Sequence, residues 1–592
     1  MFEYRRAALS IFLMLLLVFN LQIARMGGFY DLREFKQKEL PEIKTISAQY
    51  PSNYESSKYL LVCSEEDKIE KDASANYREL FSLYKLKFDT VIDTDFSNCE
   101  GYNAIFLAVD DFDEIKNIDK MAAFVQNGGI IIFCLPIENS GTFYTIAPLL
   151  GIYEIGGELD RNNIVDKKGV FGEKNKMFSQ AAIVKSSRNL RLSPNCDIYF
   201  ETADKVPLLW KIAYGGGAFY VANGDIISQR SGRGVVNAII TETEGDFIYP
   251  VYNMMTVNIE WFPGPYLGGR LPVLEAYNVG FDDFLNKIWW PDMIEISTKY
   301  HLKYTACYVQ SYTDNVKEPF EREGVSRNAL LTYGTAVLKQ GGEIGLQGYN
   351  YRPFALKDEF MNYGWLIPWP DIKSMSASIK AAENYFADTF PFYKMRLYVP
   401  PEGRISKTAF ENIKEIYPDA AVISCEYDDS TGDKFYHSFE QLPNGIVTYP
   451  HTSNYLDSLW YVNNSMLSLG VVSHSINFHS ILLRTDSSWE KSKGEFINLL
   501  TEAQKKYEGI RNMNISTAAR EVERYQNMDF VTAKNSGGMT VYIKNFSPDM
   551  YFSLRTDKKI EASSDCEVTK VFGNIYLIKA KNSTFNLAWS EN

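Results

Sequence analysis

The chain has 592 residues, too many for one hydrophobic core, and domain-size priors point to roughly three or four units. Its net charge of −13 speaks against a nucleic-acid partner, which needs a basic field to displace phosphate counterions. Seven scattered cysteines without a C-x-x-C pair exclude a zinc ribbon, a redox motif and a disulfide scaffold, and read as core thiols. Aromatic residues reach 14%, a content that suits either a large aromatic core or surfaces on which sugar rings stack.

The N-terminus sets an expected compartment. Arg5 and Arg6 precede an apolar run over residues 7–24, broken only by Ser10, Asn20 and Gln22. The run is about long enough to cross a hydrocarbon core, and the basic residues before it place Met1 in the cytoplasm and the bulk outside. Residues 1–26 are therefore expected to be an uncleaved signal anchor of a single-pass protein of the cell membrane. A cleavable signal peptide is the alternative, but 21–26 lacks a clear small-x-small site. Residues 27–56, polar and poorly periodic with Pro41 and Pro51, read as a stalk.

A βα alternation follows. Apolar strands at 59–63, 90–92, 104–109 and 130–135 alternate with helices at 73–83 and 118–126, the pattern of a parallel sheet covered on both faces. The glycines 215–217 read as a hairpin turn, because no strand–glycine–helix order makes them a phosphate loop. This unit, 57–250, resembles glutamine-amidotransferase-like folds; with no Cys elbow and no matching His it reads as noncatalytic.

A second αβ series runs over 265–510. Strands are expected at 272–277, 304–309, 343–346, 395–399, 420–424, 445–449 and 467–473, with helices at 291–300, 327–339, 375–386 and 406–416. Seven such units suggest an incomplete barrel with its chemistry at the carboxyl ends of the strands. Residues 515–592 alternate like short strands and read as a small β-sandwich-like unit. The fold class is thus α/β multidomain.

Read in order, the expected strand ends carry Phe281-Asp282-Asp283, then Glu343-Ile344-Gly345-Leu346-Gln347-Gly348-Tyr349-Asn350-Tyr351, then Tyr398-Val399-Pro400-Pro401-Glu402, then His451, then Gly470-Val471-Val472-Ser473-His474. Adjacent carboxylates at a strand end can divide metal binding and base catalysis, though a surface pair has the same sequence. Ser473 and Ser475 sit on no recognisable nucleophile elbow. A glycosidase pair drawn from Asp282, Asp283, Glu343 and Glu402 stays open, since carboxylate separation decides it. Trp365 and Trp369, in GWLIPWP, read as a sugar platform or as loop anchors.

This order of motifs resembles the NodB-type polysaccharide deacetylase superfamily and, more narrowly, a bacterial domain-of-unknown-function family (number 2194) related to PelA-like exopolysaccharide proteins. The resemblance implies that Asp282 is the general base, Asp283 a metal ligand and His474 the acid for the leaving amine. Candidate substrate contacts are Arg396, Glu402, Trp365, Trp369 and His451. Gln347 and Tyr351 stand where the superfamily has two metal-binding His, so the metal set is degenerate. Without it the amide carbonyl loses its Lewis acid. Three readings follow: a noncatalytic relative binding extracellular polysaccharide or exopolysaccharide synthase machinery, with no cofactor; an active deacetylase of N-acetylated amino-sugar polymer using a divalent ion such as zinc; and a carboxylate-based glycoside hydrolase.

Overall fold

The computed structural model describes residues 12–18 and 42–590, apart from 53, 55–56, 65–66, 114, 116–117, 137, 139, 179–183, 265–276, 323, 360–366, 428–436, 454–458, 478–487 and 562. Most of the expected anchor, 1–26, lies outside the described residues. Residues 12–18 are helical and exposed, and among the described residues no helix is long and apolar enough to cross a membrane.

Among the described residues the first unit holds a nine-stranded sheet and a separate two-stranded ribbon. Lys58–Cys63, Lys87–Ile92, Ala104–Ala108, Ile130–Phe133 and Gly217–Ala222 run parallel. The central strands are buried on both faces, which is why they read as unbroken apolar runs. Asp67 caps the helix Lys68–Leu83 by accepting from the Ile69 N–H. Pro207–Tyr214 and Gly217–Ala222 form the expected hairpin. Gly217 has to be glycine: a β-carbon there would meet the Gly129 carbonyl oxygen at 2.0 Å.

The second unit is a parallel sheet whose strands β1 (Met254–Phe262), β2 (Thr305–Ser311), β3 (Glu343–Asn350), β4 (Leu397–Tyr398), β5 (Val422–Ile423), β6 (Val447–Thr448) and β7 (Val471–Ile476) follow chain order, with β7 pairing back onto β1. The sheet curls until the run after β6 also bridges to β7 through Ser453 and His474. The expected first strand, 272–277, falls almost wholly outside the described residues. The strand that opens the barrel is β1, upstream of the expected boundary at 265; all nine of its residues are buried.

The third unit is a sandwich. Met550–Arg555, Ile575–Ala580 and Cys566–Phe572 form a sheet with Phe247–Val251, the segment that links the first unit to the barrel. Asp529–Asn535, Gly538–Lys544 and Thr584–Ala588 form the other. Phe552 meets Phe530 and Phe585 across the gap, with ring centroids 5.4 and 5.8 Å apart. The helix Ile515–Gln526 lies between sandwich and barrel and shares one apolar cluster with both. Residues 46–48 of the expected stalk lie along this unit: Ile46 and Phe546 exchange backbone hydrogen bonds and the Ala48 N–H donates to the Ile543 carbonyl.

Candidate active site at the barrel mouth

The carboxyl ends of the parallel strands gather a polar cluster around Glu260, on β1. Ser475 on β7 donates to Glu260 Oε1 at 2.6 Å. Three donors reach Oε2: Gln347 Nε2 from β3 at 3.0 Å, the Tyr351 hydroxyl at 2.9 Å and Asn477 Nδ2 at 3.2 Å. A carboxylate offers about two acceptor positions on each oxygen, so Oε2 is crowded by three donors while Oε1 takes one. Burial raises the Glu260 carboxyl above its usual range, the Ser475, Tyr351 and Gln347 donors pull it back, and the Glu402 charge adds to the rise.

Local backbone aims the cluster. The β1–β2 register slips between Ile259 and Phe262, and Trp261 sits at φ 63°. This bulge turns the Trp261 N–H onto Gln347 Oε1 at 2.9 Å, so both ends of the Gln347 amide are committed. The Tyr351 hydroxyl accepts from Asn477 Nδ2 at 3.0 Å and from the Glu402 N–H at 3.2 Å.

A second group lies beside it. Glu426 after β5 and His451 after β6 are buried with Oε1 and Nε2 4.0 Å apart. Gly403, at φ 67°, packs onto both: a β-carbon there would come 2.6 Å from Glu426 Cγ and 3.1 Å from His451 Cε1. The first unit buttresses this region. Arg233 bonds the Tyr427 hydroxyl at 2.5 Å and Glu79 at 3.0 Å, and Arg230 donates to the Tyr427 carbonyl at 3.0 Å.

Several expected site residues lie elsewhere. Asp282 and Asp283 are exposed on the short helix Phe281–Phe284, and Asp283 pairs with Lys287 at 2.9 Å. Neither meets Gln347 or Tyr351, because a surface helix, not a barrel strand, carries them. His474 faces away from the mouth. Alternation along β7 gives Ser475 the inward position, while His474 stacks near Phe496 of the helix Trp489–Lys506 and bonds Ser453 Oγ at 2.8 Å. Burial lowers its pKa to about 4. Arg396 is exposed and precedes β4, so it lies at the barrel's amino end, opposite the mouth. Trp369 is buried at 1% exposure, donates to the Pro353 carbonyl at 3.1 Å and packs on Phe354, so it anchors the loop and offers no platform. Trp365 lies outside the described residues. Glu343 opens β3 at the amino end, where it accepts from Thr305 Oγ1 and the Ser516 N–H. Of the expected residues, Gln347, Tyr351, Glu402 and His451 do gather at the mouth.

The residues present do not fit a catalytic zinc. Such a site takes three protein ligands, usually imidazole or carboxylate. Here Gln347 and Tyr351 aim N–H and O–H groups at a carboxylate, and among the described residues no three His, Cys, Asp or Glu side chains converge as a metal site. Sequence reasoning missed Glu260, Ser475 and Asn477. The available signal was a lone acidic residue inside MMTVNIEWF, followed by Pro263-Gly264.

Solved structures similar to the chain include Agd3, titled a novel carbohydrate deacetylase, at 8% identity and a TM-score of 0.47, covering 90% of this chain and 99% of that one. A cold-adapted β-galactosidase from Rahnella sp. R3 aligns at 15% identity and TM-score 0.23, covering 33% of this chain and 34% of that one. A ThuA-like protein from Bacteroides uniformis aligns at 14% identity and TM-score 0.22, covering 30% and 88%. No curated protein matches the chain. The family described as an uncharacterised protein conserved in bacteria (DUF2194) matches residues 160–577, and the chain belongs to that family.

Proposed function

We propose that the chain is a membrane-anchored, extracytoplasmic polysaccharide deacetylase-like protein of exopolysaccharide biosynthesis or modification. In this reading its barrel binds the polymer or the synthesis machinery and does not hydrolyse amides. One observation carries it: both positions expected to hold metal-binding imidazoles spend their donors on the buried Glu260. A carboxylate engaged by donors from two strand ends holds those strands together, and the donors of Gln347 and Tyr351 point at it and not at a metal.

The test combines zinc analysis, acetate release and calorimetric titration with N-acetylated and de-N-acetylated amino-sugar oligomers. Saturable oligomer binding without stoichiometric zinc or acetate supports the proposal. Metal-dependent acetate release overturns it. A second reading has one observation behind it. Glu402 keeps 29% of its side chain exposed at the mouth and its N–H touches the Tyr351 hydroxyl that binds Glu260. If this carboxylate pair cleaves glycosidic bonds, new reducing ends appear and Glu402→Gln abolishes them.

A further inference from the structure

The two ends of the barrel are built differently, and the chain's N-terminal segment attaches near one of them. At the amino end the helix Ile515–Gln526 caps the strands. Its Ile515 N–H donates to Thr305 Oγ1 at 3.1 Å and its Ser516 N–H to Glu343 Oε1 at 2.9 Å, onto the first residues of β2 and β3. Arg511 pairs with Met254, the first residue of β1. The sandwich packs behind this helix in the same apolar cluster as the barrel floor, so floor, helix and sandwich share one core.

Residues 46–50 are fastened to that sandwich. Besides the Ile46–Phe546 exchange, the Tyr50 hydroxyl donates to Asp529 at 3.1 Å and Lys544 Nζ lies 4.0 Å over the Tyr50 ring. A single antiparallel bridge thus ties the sandwich to the segment that follows the apolar run at 7–24. Charge agrees with this placement. Residues 515–592 carry 10 Lys and Arg against 9 Asp and Glu, in a chain whose net charge is −13. This unit is the part least repelled by an anionic lipid surface.

We propose that the sandwich is the membrane-facing foot of the molecule and that the barrel mouth opens away from the bilayer. The proposal rests on the anchor reading given under Proposed function. A strand of seven residues spans roughly 23 Å, so the mouth stands at least about one barrel length beyond the foot. The mouth then faces polymer in the extracytoplasmic space, not lipid headgroups.

The full chain is reconstituted into vesicles of phosphatidylcholine and phosphatidylglycerol carrying a short-range headgroup quencher. Single fluorophores are attached through Ser536→Cys, in an exposed sandwich turn, or Lys317→Cys, on the rim after β2, each in a Cys196→Ser background; the other six cysteines are buried. The expected result is flotation with the vesicles and several-fold stronger quenching at 536 than at 317. Ile46→Pro, which removes the N–H that bonds Phe546, is expected to reduce quenching at 536. Flotation with equal or reversed quenching overturns the orientation and leaves the anchor standing. Flotation with quenching at 536 untouched by Ile46→Pro overturns the fastening of the foot. Failure to float overturns the anchor, and the orientation with it.

Discussion

Two of the barrel's buried glutamates lie at opposite ends, and they are held in different ways. Glu343, at the floor, accepts from Thr305 Oγ1 and from a backbone amide in the first turn of the helix Ile515–Gln526. That is the ordinary way to satisfy a helix N-terminus with an anion. Glu260, at the mouth, is held only by side chains, from the ends of β3 and β7. Burial raises both carboxyls above the usual range. The floor residue completes a structural joint. The mouth residue gathers side-chain donors at the carboxyl ends of the parallel strands.

The largest expected break is Glu260→Ala, which leaves the buried Gln347 and Ser475 donors and the part-buried Tyr351 and Asn477 donors facing a void and costs about 3–5 kcal/mol, measured by denaturant unfolding. Gln347→His with Tyr351→His sharpens the contrast. The pair, with Glu260 as the third ligand, is expected to take up stoichiometric zinc, and adding Glu260→Ala is expected to abolish uptake in metal analysis.

Acid sensitivity separates the mouth from its outer wall. The His474 pKa is lowered to about 4 by burial. Its contribution to stability is present above the unfolded value near 6.5 and is lost as pH falls toward 4. His474→Phe is expected to recover up to about 3 kcal/mol of that loss. Glu260 works in the opposite direction. Its folded pKa is raised, so its contribution is full below about 4.3 and is lost as pH rises through the folded value. Relative to Glu260→Gln, the native chain gains stability on acidification, read from melting curves at several pH values.

Glu343→Gln is expected to cost less, about 1 kcal/mol, since the amide still accepts from both partners. The smallest effect belongs to Asp283→Asn. The exposed pair with Lys287 is worth under about 1 kcal/mol, and sugar binding is expected to stay unchanged.

The misreadings have identifiable physical causes. Phe281-Asp282-Asp283 carries the residue types of a catalytic strand end, yet nothing local in sequence distinguishes that from the first turn of a surface helix, where Asp is equally at home. Met254–Phe262 is buried on both faces, so it lacks the alternation that marks a strand and fell between the expected units. His474, expected at the end of a strand over 467–473 as the acid at the mouth, lies inside β7 with its side chain toward Phe496. The register of β7 decides its direction, and a shift of one residue exchanges it with Ser475.

From the sequence alone came the βα alternation of two units, the β character of the third, the hairpin at Gly215–Gly217 and the presence of Gln and Tyr at 347 and 351. These are local properties, written in periodicity, turn chemistry and residue type. Only the tertiary structure decided that Glu260 is the centre on which Gln347, Tyr351, Ser475 and Asn477 converge, because those five positions span more than 200 residues and meet solely through the curl of the sheet. It also decided that residues 46–48 lie against the far sandwich, a pairing across some 500 positions that no local pattern encodes.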